Sequence, residues 1–108
     1  MAQDFENSIA RDKGTAGATI RTANSDDAIV GLRLANIHTA TIAVDVFVER
    51  SSANYYLVKG ATIPAGSSLE LIDGGSKIIL LNGDDLKVDC DTNNALDVWC
   101  SVVDTISE

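Results

Sequence analysis

The sequence predicts an all-β protein, an antiparallel β-sandwich of about eight strands, jelly-roll or Ig-like, on three observations. From Thr15 onward apolar and polar residues alternate with a period of two, as half-buried strands require. Clusters of Gly, Asn, Asp and Ser punctuate the runs as turns. The runs recur at the roughly 8–12-residue spacing of sandwiches and barrels.

An early strand is expected around Ala16–Thr22. Val30, Leu32 and Leu34 then share one face, and Ile42, Val44, Val46 and Val48 share one face of the clearest strand in the chain. Asn36-Ile37-His38-Thr39 between them reads as a turn, so these two strands are expected to pair as a hairpin. After the polar break Arg50–Asn54, the run Tyr55-Tyr56-Leu57-Val58-Lys59 supplies the next strand, and Pro64 marks a connection or strand edge because it lacks an N–H. Short strands at Leu69–Ile72 and Lys77–Leu81 flank a tight turn at Asp73-Gly74-Gly75. Leu86–Cys90 and Leu96–Val103 are expected to form a last hairpin with Asp91–Asn94 as its loop.

Residues 1–14 differ from this pattern and are expected to form an N-terminal arm, extended or partly helical, ahead of a sandwich domain at 15–108. Phe5 and Ile9, four apart among polar residues, suit one amphipathic helical turn. So short a helix is not stable alone, so the arm is either mobile or ordered against a neighbour.

Eight Lys and Arg against sixteen Asp and Glu give a net charge of −8, the wrong sign for binding a phosphate backbone or an anionic membrane. No apolar run reaches the ~18 residues of a membrane-spanning helix, and the N-terminus lacks the basic start and apolar stretch of a signal peptide. Assembly in a cytoplasm is the expectation, with no membrane and no nucleic acid as partner.

Catalytic chemistry is sparse. In the expected hairpin register Cys90 lies opposite Leu96, so Cys100 falls ~13 Å further along, too far for a disulfide. Separate buried thiols are expected, and their spacing matches no zinc motif. His38, the single histidine, falls in a turn without a neighbouring nucleophile or second ligand. Ser51, Ser52, Ser67 and Ser68 read as turn residues. Asp89-Cys90-Asp91-Thr92-Asn93 begins like a calcium loop, but Asn94 stands where glycine is needed and Cys100 where a bidentate glutamate would close the shell. Neither a cofactor nor a metal is expected, and no catalytic residue is assigned.

The outer faces carry more information. If Ile42, Val44, Val46 and Val48 fill the core, Phe47 points away from it, and the same parity places Ile29, Ile79, Trp99 and Val103 outside. So much outward apolar surface suits a subunit interface, with Phe5, Ile9, Phe47 and Trp99 as candidate contacts.

The N-terminal Met1-Ala2-Gln3-Asp4-Phe5-Glu6, the strands Ile29–Asn36, Val44–Val48 and Tyr55–Lys59, the segment Ile63-Pro64-Ala65-Gly66-Ser67-Ser68-Leu69 and Asn82–Val88 together resemble the small β-sandwich virion proteins of tailed bacteriophages, especially of marine cyanobacterial and related hosts. The similarity spans nearly the whole chain and implies a non-enzymatic virion structural protein assembled in the host cytoplasm. A capsid decoration or cement role is expected, through many-copy contacts with other copies of itself, as a homo-oligomer, and with virion proteins such as the major capsid protein. The arm carrying Phe5 and Ile9 is expected to dock on an adjacent subunit. A neck or tail component is the alternative within the particle. A carbohydrate- or receptor-binding module is the alternative from another class, and it requires Tyr55, Tyr56 and Trp99 on one exposed face.

Overall fold

The computed structural model describes residues 4–72 and 78–104, and its described residues form strands without any helix. Nine strands occur among them: β1 (Asp4–Lys13), β2 (Ala18–Thr22), β3 (Asp27–Asn36), β4 (Ile42–Arg50), β5 (Ala53–Ile63), β6 (Ser68–Glu70), β7 (Ile78–Leu80), β8 (Asp85–Cys90) and β9 (Leu96–Asp104). They build two antiparallel sheets. The first runs β1-β9-β3, with β6 and β7 pairing successive stretches of the far edge of β3; the second runs β2-β8-β4-β5.

The alternation read in β4 does what parity requires. Ile42, Val44, Val46 and Val48 enter one apolar core together with Leu32, Leu34, Leu86, Val88, Leu96, Val98 and Val102 from both sheets. The two inner faces therefore meet in a sandwich-like arrangement.

Two expected hairpins are replaced by crossovers. β3 lies in the first sheet and β4 in the second, and likewise β9 and β8. Alternation tells which face of a strand is inward, and two inward faces can meet across a core as readily as lie side by side. Asn36, only 2% exposed, holds the first crossover: its Nδ2 donates to the carbonyls of Ala40 at 2.9 Å and Ile63 at 2.8 Å, and its Oδ1 accepts from the N–H of His38 at 2.8 Å. The pairing of β4 with β5 is a true hairpin, closed by Ser51 and Ser52 with φ of 53° and 65°. Positive φ at both central residues is the turn whose twist matches the strands, and it strains any residue but Gly, Asn or Asp. Of the two short strands expected here, the described residues show β6 at Ser68–Glu70 and β7 at Ile78–Leu80, both on β3, while Lys77 and the expected turn at Asp73-Gly74-Gly75 lie outside the described residues.

The segment carrying Phe5 and Ile9 is not a helical turn. Residues 4–13 are β1, paired antiparallel along β9 with Ile9 opposite Trp99 and Phe5 opposite Val103. Spacing of four suits one helix face, but Phe5, Asn7 and Ile9 also share one face of a strand, and β9 supplies the hydrogen-bonding partner. Ile29 is a second departure: it is fully buried in the core, while Val30 is exposed. A register shift between Ile29 and Gly31 against β9 inverts the parity, so Ile29 and Leu32 both point inward.

Candidate functional site

Three of the four candidate contact residues come together on the outer face of the first sheet. Trp99 on β9 is 52% exposed, flanked across the strands by Ile9 of β1, 62% exposed, and by Arg33 of β3. Phe5, 83% exposed, stands on the same face of β1, two alternations away. One open groove runs beside Trp99 between Ile9, Lys13, Arg33, Ala35 and Asp97, and a second between Phe5, Asn7, Val30 and Ser101. The inner residues of the same strands, Ala10, Val98 and Val102, pack on the core, so β1 presents its apolar side outward because strand parity leaves it no other place.

Phe47 is a correction. It does point away from the core, on β4 of the second sheet, yet it is only 6% exposed. The Tyr56 ring packs on it at 5.1 Å between centroids, Lys59 lies over Tyr56 at 4.6 Å, and the loop at Gly17 approaches the Phe47 ring edge. An aromatic neighbour on the adjoining strand thus covers what parity alone leaves open. Ile79 is exposed as expected, and Val103 is half-buried.

Tyr55 and Tyr56 belong to β5 of the second sheet and Trp99 to β9 of the first, so the three aromatics share no face. His38 is half-buried in the β3–β4 crossover. Cys90 and Cys100 are both buried and free. Burial pushes both thiols up, Cys100 to about 11, which leaves little thiolate near neutral pH. The residues of the calcium-like stretch spend their oxygens within the protein: Asp91 Oδ1 accepts from the N–H of Ala43, and Asn93 Oδ1 accepts from the N–H and the hydroxyl of Thr15. Among the described residues no group of three or more His, Cys, Asp or Glu side chains is placed to hold a metal ion, and no helix is long and apolar enough to cross a membrane.

Sequence reading missed two charged clusters. Arg21 on β2 reaches across to the first sheet, where its Nε bonds Asp27 at 3.0 Å, its Nη1 bonds Glu6 at 2.9 Å and its Nη2 lies 3.5 Å from Asp104. Burial works against the guanidinium, but the Asp27 and Glu6 hydrogen bonds outweigh it and hold its pKa above the ordinary value. Asp27 is completely buried; that burial and the neighbouring Asp104 carboxyl push it up against the pull of Arg21. The second cluster sits on the outer face of the second sheet, where Asp45 and Asp89 stand directly opposite each other on β4 and β8.

Burial and Asp45 together push Asp89 up to about 6. Its folded value lies above the unfolded one of about 3.9, so the stability it contributes is full below about pH 4 and is lost as pH rises through about 6. Asp89→Asn removes the repulsion. The variant is expected to be more stable than the parent by about 1 kcal/mol at pH 7.5, after allowance for solvent screening, and equal to it near pH 4. Urea unfolding at the two pH values checks this, and an equal effect at both would exclude like-charge repulsion as the cause.

No protein-family model matches the chain, and no curated protein matches it. The placement of the candidate residues is what bears on function.

Proposed function

We propose that this chain is a non-enzymatic structural protein of a bacteriophage particle, a capsid decoration protein that acts through many-copy contacts with itself and with the major capsid protein. The observation that carries the assembly reading is the strip formed by Phe5, Ile9 and Trp99, exposed together on the outer face of one sheet. Large aromatic and aliphatic side chains held on a rigid sheet are the anchors that interfaces use, because burying them needs little reordering. The strand orders β1-β9-β3-β6 and β2-β8-β4-β5 support a jelly roll, an architecture used by viral capsid domains and also by lectins. The sequence resemblance favours the particle over the lectin, and the separation of Tyr55 and Tyr56 from Trp99 leaves the glycan-binding alternative without its common aromatic face. A net charge of −8 suits the outside of a shell better than its DNA-facing lumen.

Electron cryomicroscopy of particles carrying the protein tests the proposal. Density for it is expected at symmetry-related positions over the capsid exterior, and Trp99→Lys is expected to strip it from the shell while the purified variant remains folded. Density confined to the neck or tail overturns the decoration role, and absence from the particle overturns the proposal altogether.

A further inference from the structure

We propose that two copies of this chain pair edge to edge through β1, antiparallel about a two-fold axis passing through Asn7, so that their first sheets become one continuous sheet. The proposal deepens the assembly reading by naming a second copy as the partner of this face. β1 ends the first sheet, and among the described residues its other edge joins no strand pairing. A row of unpaired backbone N–H and C=O groups on an extended edge is a template for another strand, and proteins ordinarily guard against it.

The other sheet edges of the molecule carry such guards. β6 and β7 are three residues each and β2 is five. β5 is long, but two register shifts against β4 and a positive φ of 72° at Gly60 break its line. β1 keeps an uninterrupted register with β9 from Asp4 to Ala10 before the shift that precedes Lys13. The inward charge that would guard this edge, Glu6, is already paired with Arg21 at 2.9 Å.

Two independent features select the register. The regular stretch from Asp4 to Ala10 has Asn7 at its midpoint, so pairing about Asn7 uses the whole of it. Side chains opposite each other must also lie on the same face, which permits only registers related by two-residue steps. With Asn7 on the axis, Phe5 of one copy faces Ile9 of the other, Ile9 faces Phe5, and Glu6 faces Ser8. The neighbouring registers are worse: one sets Glu6 against Glu6 of the second copy, the next sets Phe5 against Arg11, and the one beyond sets Glu6 against Asp12. Like charges directly opposite are destabilising, and apolar pairs at these positions are favourable. The chosen register therefore joins the Phe5, Ile9 and Trp99 strips of both copies into one apolar face centred on the axis.

The experiment uses the full chain. Sedimentation velocity is expected to give twice the monomer mass, with Ile9→Lys shifting the population toward monomer. Residues directly opposite in an antiparallel pair have Cα atoms about 4.5–5.5 Å apart, within disulfide range. Asn7 is exposed, so Asn7→Cys leaves the core untouched. With oxidised glutathione accepting the electrons and protons, this variant is expected to form a covalent dimer. Phe5→Cys and Ile9→Cys are expected to link only when combined in the double variant, and Thr62→Cys, exposed on β5, to stay unlinked. A monomer up to the limit of solubility overturns the proposal, and so does a dimer in which Asn7→Cys links no faster than Thr62→Cys. Either failure leaves the particle location to be decided by microscopy, and absence from the particle leaves the solution pairing intact.

Discussion

Arg21→Met is expected to lower the unfolding free energy by about 3–5 kcal/mol, a large share of the roughly 5–15 kcal/mol available to a domain. The Arg21 side chain is 13% exposed, and it sets three carboxylates from three strands or their approaches against one guanidinium: Glu6, Asp27 and Asp104. Methionine replaces the stem of Arg21 but not its donors. Asp27, with no exposed surface, then lies beside Asp104 without its cation, and its Oδ1 has no hydrogen-bond donor even with Arg21 present. Removing one partner of a buried pair costs more than the pair contributes, because the other charge remains desolvated. The deficit has a pH signature. Asp27 already sits above its ordinary value through burial, and without Arg21 it rises further. A carboxyl with a raised folded pKa contributes its stability fully below about pH 4 and loses it as pH climbs through the folded value. The variant is therefore expected to be least impaired near pH 4 and most impaired above neutrality, and Asp27→Asn in the same background to restore part of the loss at pH 7. Urea titrations of the three proteins across this range measure it; a pH-independent deficit would point to lost packing instead.

Gly14→Ala is the second large effect, expected to cost about 2–3 kcal/mol. A Cβ on Gly14 would lie 2.6 Å from the Cα of Asn93 and 2.5 Å from its Oδ1. The first is backbone and cannot swing aside. Moving Asn93 sacrifices the two 3.1 Å hydrogen bonds it accepts from Thr15 and loosens the stretch where the N–H of Cys90 donates to the Gly14 carbonyl at 3.0 Å. That stretch fixes the β8–β9 crossover against the β1–β2 connection. Gly17→Ala serves as the control, since its Cβ would meet only the Phe47 Cζ at 3.9 Å, an ordinary contact, and it is expected to change stability by less than about 0.5 kcal/mol. Thermal or urea unfolding of the two variants decides between a close approach and a dispensable glycine; equal behaviour would remove the close approach from the account.

Both positions escape a reading of the sequence for the same reason. Arg21 shows as a lone basic residue in a strand, and its three acidic partners are 15, 6 and 83 positions away, the last brought near only when the two sheets close. Gly14 has no turn signature, since what it accommodates is a backbone 79 residues later. The outward strip was partly legible: alternation placed Trp99 outside, while Ile9 and Phe5 joined it only because Asp4–Lys13 pairs with β9 as a strand. Phe47 shows the converse, an outward residue sealed by a neighbour whose position follows from pairing register.

The order of apolar and polar residues by itself determined that this chain is all-β, where most of its strands run and which side of β4, β8 and β9 is buried, because a strand repeats every two residues and that repeat is written locally. Tertiary structure alone decided which strands are neighbours: β3 from β4 and β8 from β9 part company into opposite sheets, β1 completes an edge, and a bulge at Ile29–Gly31 inverts parity. Partner choice is a property of the closed core, where a facing strand and an adjoining strand satisfy the same apolar pattern and only hydrogen bonding and crossover geometry distinguish them.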